Sequence, residues 1–118
     1  MELHERLEIF KDSGQISEES YEALLRVIDM IKRQYGIVLN EENGAMFITH
    51  LSIANERIKK QEIVEAIDKE IYKEVENDEN YHKAEQAFDS IQQELNIEIP
   101  ENEKGYIILH LCTLFAGK

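Results

Sequence analysis

The sequence is poor in the residues that build disulfide-rich or turn-rich domains, because its 118 residues include one cysteine, one proline and five glycines. A single cysteine excludes an internal disulfide framework and is compatible with a reducing cytoplasm. The scarcity of proline and glycine argues against a turn-rich β-sandwich and favours helices. No apolar run approaches the length of a membrane span, and the N-terminus shows no signal-peptide pattern. We therefore expect a cytoplasmic, helical protein without a membrane segment.

Basic residues are also in deficit, since 13 Lys and Arg face 25 Asp and Glu and the net charge is −12. A chain this acidic is poorly suited to hold a phosphate backbone, so we expect no direct contact with nucleic acid. Hydrophobic residues make up 42% and charged residues 32%, which is an ordinary balance for a globular protein. The length suffices for one compact domain and not for two.

Apolar residues at helical spacing predict an all-α protein with six helices. Ser17 and Asn40 are suited to cap helix N-termini, and Gly36 is suited to end a helix. We expect residues 1–16 to form a helical extension and residues 17–118 to form a single domain. The predicted helices are 1–11, 18–35, 41–60, 62–76, 79–95 and 101–116.

The fourth predicted helix depends on a stripe of apolar residues spaced four apart, namely Ile63, Ile67, Ile71 and Val75. An acidic run follows at residues 74–79, which we interpret as a solvated joint before the fifth helix.

Two stretches of the chain resemble each other, Tyr35–Leu51 and Leu95–Leu111. They align without a gap at an offset of 60 residues, which places His50 opposite His110. Each stretch predicts the end of one helix, a short apolar connector and a helix that carries a histidine. Two copies are too few for a solenoid, so we expect a helical bundle with a pseudo-twofold repeat.

Both histidines are predicted to lie on or beside an apolar helix face. A histidine in that position is most often a packed residue with one hydrogen bond. Its equivalent placement in both halves favours a function instead, and reversible phosphorylation at nitrogen is one suitable chemistry. Arg57 shares the face of His50, but a rise of roughly 10 Å separates them, so we expect Arg57 to pair with a neighbouring helix.

A metal site is a weaker alternative, with His50, His110 and a carboxylate such as Glu56 as ligands. Neither histidine has a second His or Cys on its own helix face at helical spacing. Cys112 follows His110 by two residues and points elsewhere, so we interpret it as a core or interface thiol. The remaining histidines, His4 and His82, lie in polar surroundings and are interpreted as surface residues.

The repeat resembles the PTS regulation domain, or PRD, of bacterial sugar-responsive regulators. The segment Glu103–Leu111 follows that family's pattern of acidic, aromatic and apolar residues before His-Leu. The segment His50–Arg57 fits the first site of the family, which has a later Ala and Arg. The separation of about sixty residues between the histidines also fits one such module, and the resemblance spans about residues 17–115.

The resemblance implies a five-helix bundle that tends to form homodimers and is not an enzyme. It implies that His50 and His110 are candidate phosphoacceptors, supported by Arg57, with no cofactor or metal. The implied donors are HPr or an enzyme II component of the phosphotransferase system. Phosphorylation in this family switches transcription or antitermination through an attached nucleic-acid-binding domain.

The chain differs from that pattern at two points. We expect no attached nucleic-acid-binding domain, so a stand-alone module would act through a partner regulator. Antiterminator-type modules often carry Asp before the first histidine, where this sequence has Thr49. A helical adaptor that kept the fold without phosphotransfer is therefore the alternative hypothesis.

Overall fold

The computed structural model describes residues 2–117, and these fold into six α-helices with no strand among them. Met1 and Lys118, the outer ends of the expected extension and domain, lie outside this range. The helices are α1 Leu3–Asp12, α2 Glu18–Tyr35, α3 Glu41–Lys59, α4 Lys69–Glu76, α5 Tyr81–Leu95 and α6 Glu101–Ala116. The all-helical prediction is confirmed. None of the helices in this part of the chain is long and apolar enough to cross a membrane.

Local hydrogen bonds explain where the helices begin. The side chain of Ser17 accepts a hydrogen bond from the backbone N–H of Ser20 at the start of α2. Asn40 and Asn43 form a reciprocal capping box at the start of α3, in which each side chain accepts from the other's backbone N–H. Both predicted N-caps are confirmed, and they satisfy backbone donors that the first helical turn leaves free.

The sequence repeat is visible in the backbone. Gly36 ends α2 with a φ of 69°, and Asn96 ends α5 with a φ of 54°, so both halves place a left-handed residue at the same point. A short connector without helix or strand follows in each half and leads into α3 or α6 through an extended cap residue, Asn40 or Pro100. Equivalent helices of the two halves contact each other, α2 with α5 and α3 with α6. Such self-contacts are the arrangement that a pseudo-twofold axis produces.

Helix α1 packs against the bundle and adds to its core. Leu3 and Leu7 are buried together with residues of every other helix. Arg6 forms an ion pair with Glu41 at the start of α3. The predicted first helix is confirmed, with its end at Asp12 instead of residue 11.

The predicted fourth helix is wrong over its first half. Residues 62–68 form neither helix nor strand, and α4 begins at Lys69, seven residues later than expected. Asp68 causes this late start because its side chain accepts from the backbone N–H groups of Glu70 and Ile71. Ile63 is 86% exposed, so the apolar stripe does not form one buried face.

Residues 62–68, which we call the strap, pass over α6. The hydroxyl of Tyr106 donates to the backbone carbonyl of Glu65 at 3.0 Å. A Cβ added to Gly105 would lie 2.4 Å from Cγ2 of Ile67. Gly105 therefore provides the space in which the strap rests against the helix. The start of the fifth helix is also corrected, from residue 79 to Tyr81, because Asp78 caps a turn by accepting from the N–H of Asn80.

Candidate functional site

The two histidines of the repeat meet across the contact between α3 and α6. Nδ1 of His50 lies 2.7 Å from Nε2 of His110. This is a hydrogen-bond distance between one ring nitrogen that carries a hydrogen and one that carries a lone pair. The ring centroids are 4.6 Å apart and the rings are nearly perpendicular, at 78°. His50 and His110 occupy equivalent positions of the repeat, so the contact joins the two halves at matching points.

The two rings differ in their access to water. His50 is exposed, whereas His110 is half-buried. Burial lowers the pKa of His110, and the neighbouring His50 lowers it further. His110 is therefore held as a neutral imidazole at neutral pH. A neutral ring has one N–H and one lone pair, so a single hydrogen is shared between Nδ1 of His50 and Nε2 of His110.

Beside the histidines, Arg57 on α3 forms a two-pronged ion pair with Glu103 on α6. Nε and Nη2 of Arg57 each lie 2.9 Å from one oxygen of the carboxylate. The side chain of Glu103 is only 4% exposed, and that of Arg57 is 31% exposed. Hydrogen bonding to Glu103 raises the pKa of Arg57, which keeps the guanidinium charged. The expected ion pair between Arg57 and a neighbouring helix is therefore present.

The repeat explains why Glu103 is free to pair with Arg57. Glu103 occupies the position of Asn43, and Pro100 occupies that of Asn40, at the same offset of 60 residues. Asn43 accepts a hydrogen bond from the backbone N–H of Asn40. Proline has no N–H to offer, so the same bond cannot form at the start of α6. The carboxylate of Glu103 turns to α3 instead.

A cleft of about 450 Å³ lies next to the histidine pair. Both histidines line it, together with Arg57, Glu103 and the strap residue Glu65. Apolar side chains form the rest of the wall. The cleft thus combines two imidazoles, one paired guanidinium and two carboxylates.

Three exposed apolar side chains flank the histidines on the outer surface. Met46 and Ile53 precede and follow His50 at helical spacing and are 68% and 50% exposed. Tyr106, one turn before His110, is 39% exposed. A group of exposed apolar side chains beside polar ones is typical of a protein-binding face.

The structure does not bring together the ligands of the metal alternative. Among residues 2–117 no group of three or more His, Cys, Asp or Glu side chains is placed to hold a metal ion. Glu56 accepts from the backbone N–H of Ser17 and so points to the start of α2. Cys112 is buried, and burial raises its pKa to about 11. His4 and His82 are exposed and lie outside the cleft.

Three residues that line the cleft were not predicted from the sequence as site residues: Glu103, Glu65 and Tyr106. The signal for Glu103 was present, because Pro100 breaks the repeat at a position that caps the helix in the other half. The strap contact carried no comparable signal, since its bond is made to a backbone carbonyl.

Comparison with known proteins agrees with this arrangement. The model of the PRD domain family matches residues 25–113. The chain is also 22% identical over 115 residues to YhfY of Escherichia coli (strain K12), which is described as an uncharacterized protein. That match covers 98% of this chain and 96% of YhfY. No solved structure matches the chain.

Proposed function

Because the chain belongs to the PRD domain family, we propose that it is a regulatory module of the sugar phosphotransferase system controlled by histidine phosphorylation. PRD domains are regulatory rather than catalytic, and we extend this to the chain itself, which we propose is not an enzyme. We assign the module to residues 17–118 and treat residues 1–16 as a helical extension that packs on it.

One observation carries the proposal: the two histidines of the repeat meet in a cleft, and one of them is exposed. A fold that needed only apolar packing has no use for two imidazoles in contact, because each buried ring nitrogen requires a partner. A neutral imidazole with a free nitrogen is a nucleophile toward a phosphoryl group. We propose His50 and His110 as the candidate phosphoacceptors and Arg57 as a supporting residue.

The proposed donor is HPr or an enzyme II component, each of which hands on a phosphoryl group in the cytoplasm. A phosphoryl group brings a charge of roughly −1.5 to −2 at neutral pH. On His50 this charge would lie between the exposed side chains of Met46 and Ile53. Apolar contacts to another protein are weakened by such a charge, so phosphorylation would change the assembly of this surface.

We propose that this surface mediates a homodimer or contact with a partner regulator of transcription or antitermination. The net charge of −12 disfavours direct binding to nucleic acid, so the signal would pass through protein contacts. Sedimentation velocity with and without phosphorylation tests this part. A change in assembly that His50→Ala abolishes is the expected result.

Phosphotransfer from the general proteins of the system tests the central proposal. The chain is incubated with phosphoenolpyruvate, enzyme I and HPr, with and without enzyme II components, and its intact mass is measured under alkaline conditions. We expect phosphate uptake that is lost when both His50 and His110 are changed to Ala. His82→Ala is the matched control, because its side chain is 94% exposed and lies outside the cleft.

A helical adaptor without phosphotransfer is the second candidate function. Thr49 precedes His50 in place of the Asp that is common in antiterminator-type modules. Under this hypothesis no donor phosphorylates the chain, and partner binding persists when both histidines are changed to Ala.

A further inference from the structure

The two histidines have different roles, and the geometry assigns them. We propose that the cleft accepts one phosphoryl group at a time, on Nε2 of His50, while Nε2 of His110 holds the hydrogen on Nδ1 of His50. His110 is then a positioning residue and not an acceptor. This inference rests on the proposed function and refines it to one atom.

The hydrogen bond between the rings excludes two of the four ring nitrogens as acceptors of the phosphoryl group. Nδ1 of His50 and Nε2 of His110 are 2.7 Å apart, so a phosphoryl group on either one would require the pair to separate. Two nitrogens remain, Nε2 of His50 and Nδ1 of His110. His50 is exposed and His110 is half-buried, so we assign the phosphoryl group to Nε2 of His50, the free nitrogen of the more accessible ring.

The hydrogen bond also prepares that nitrogen for attack. Nε2 of His50 has a lone pair only when the ring hydrogen is on Nδ1, where it donates to Nε2 of His110. Burial favours neutral His110. We assign the hydrogen of that neutral ring to Nδ1, so that Nε2 of His110 supplies the accepting lone pair. His110 therefore fixes both the tautomer and the orientation of His50, as second partners commonly do for functional histidines.

The transfer step balances with a phosphohistidine donor. The lone pair on Nε2 of His50 attacks phosphorus and forms a new N–P bond. The N–P bond of the donor phosphohistidine breaks, and its electron pair leaves with the donor imidazole. The positive charge that develops on the His50 ring is stabilised because Nε2 of His110 accepts the hydrogen bond from Nδ1–H of His50.

A second phosphoryl group is disfavoured by charge. The ring centroids are 4.6 Å apart, so two groups of roughly −1.5 to −2 charge each would lie close together. The cleft also holds the carboxylates of Glu65 and Glu103, and Arg57 is already paired with Glu103. No unpaired cation among the residues lining the cleft is placed to offset the second charge.

Chemical phosphorylation tests this inference independently of any donor protein. The probe is phosphoramidate, a small phosphoryl donor with an N–P bond. The background carries His4→Ala and His82→Ala, because the chain has four histidines and these two lie outside the cleft. Intact mass counts the phosphates, and fragmentation with phosphorus NMR identifies the residue and the nitrogen.

We expect one phosphate, on Nε2 of His50. Two phosphates, a phosphate on His110 with His50 unmodified, or no modification of His50 would each overturn the inference. One phosphate on His50 from phosphoramidate, with none from HPr or enzyme II components, would support the inference while refuting the proposed donors.

The role of His110 is tested by two substitutions of similar size. The amide oxygen of His110→Gln can accept the hydrogen from Nδ1 of His50, whereas His110→Leu has no acceptor. We expect His110→Leu to slow phosphorylation of His50 on the order of 100-fold, the low end for a positioned proton acceptor. We expect His110→Gln to restore most of the rate.

Nitrogen NMR of the unmodified protein supplies a readout that a merely structural role would not move. We expect His50 in the Nδ1–H tautomer in the parent protein and in His110→Gln, and loss of that fixed tautomer in His110→Leu. An Nε2–H tautomer of His50 in the parent protein would refute the assignment. Equal rates in the two variants, with both folded by circular dichroism, would also refute it.

Discussion

Substituting Gly105 by Ala tests whether the strap rests on α6 as described. Ala is more favourable than Gly in a helix interior by about 1 kcal/mol, so the change would stabilise an isolated helix. The added Cβ would lie 2.4 Å from Cγ2 of Ile67, a methyl group on a branched carbon that cannot swing away. Overpacking of this kind costs about 1–3 kcal/mol. We therefore expect Gly105→Ala to lower the free energy of unfolding by about 1 kcal/mol.

Urea unfolding followed by circular dichroism measures this free energy, and hydrogen exchange reports on the strap. We expect faster exchange in residues 62–68, because the strap must move away from the new methyl group. Combining Gly105→Ala with Ile67→Ala removes the methyl group that causes the clash. The Cβ of Ile67 then stays at 3.3 Å, a tight contact that a shift of a few tenths of an ångström relieves. The double variant should be more stable than the sum of the single effects by about 1–3 kcal/mol. A Gly105→Ala variant that gains the full helix preference, with unchanged exchange in the strap, would refute the packing.

Three further outcomes follow from the site and its surroundings. Arg57→Ala should lower the free energy of unfolding by about 2 kcal/mol in urea titrations, because it leaves the carboxylate of Glu103, which is 4% exposed, without its hydrogen-bond partner. Arg57→Lys should recover only part of this free energy, because Lys lacks the planar guanidinium. Because the pKa of His110 is lowered in the folded protein, the unfolded chain binds a proton at this residue at higher pH than the folded chain does. The free energy of unfolding should therefore fall as the pH drops below about 6.5. His110→Leu should reduce that fall in urea titrations at pH 7.5 and 5.5. Cys112 is buried and its pKa is raised to about 11, so it should resist a thiol reagent at pH 8 in the folded protein and react after unfolding. Fast reaction without denaturant would contradict its burial.

Local signals in the sequence were sufficient for most of the fold. Ser17 and Asn40 cap helices through their own side chains, and Gly36 accommodates a left-handed backbone, so each boundary is set within a few residues. The histidine pair was accessible through the repeat, which gave His50 and His110 equivalent places. That they touch was not predicted, because contact between equivalent positions depends on how the two halves pack.

The strap shows that apolar residues at helical spacing do not by themselves establish a helix. Ile63 and Ile67 fit a helical stripe, yet Asp68 caps a helix that begins after them. An apolar spacing of four residues occurs by chance in a short segment, and tertiary contacts then decide its structure. The contacts of Ile67 with α6 are long-range and leave no periodic trace in the sequence.

The proline at position 100 gives the duplicated unit a direction. A perfectly repeated sequence would present two identical flanks to a visiting protein, and either orientation of approach would be equivalent. Instead, one flank has a capping amide at Asn43, and the other has an ion pair between Glu103 and Arg57. Because Pro100 has no backbone N–H, the two copies of the motif differ at this position. Any protein that docks over the histidines therefore meets two unlike flanks, so its two possible orientations on this surface are not equivalent.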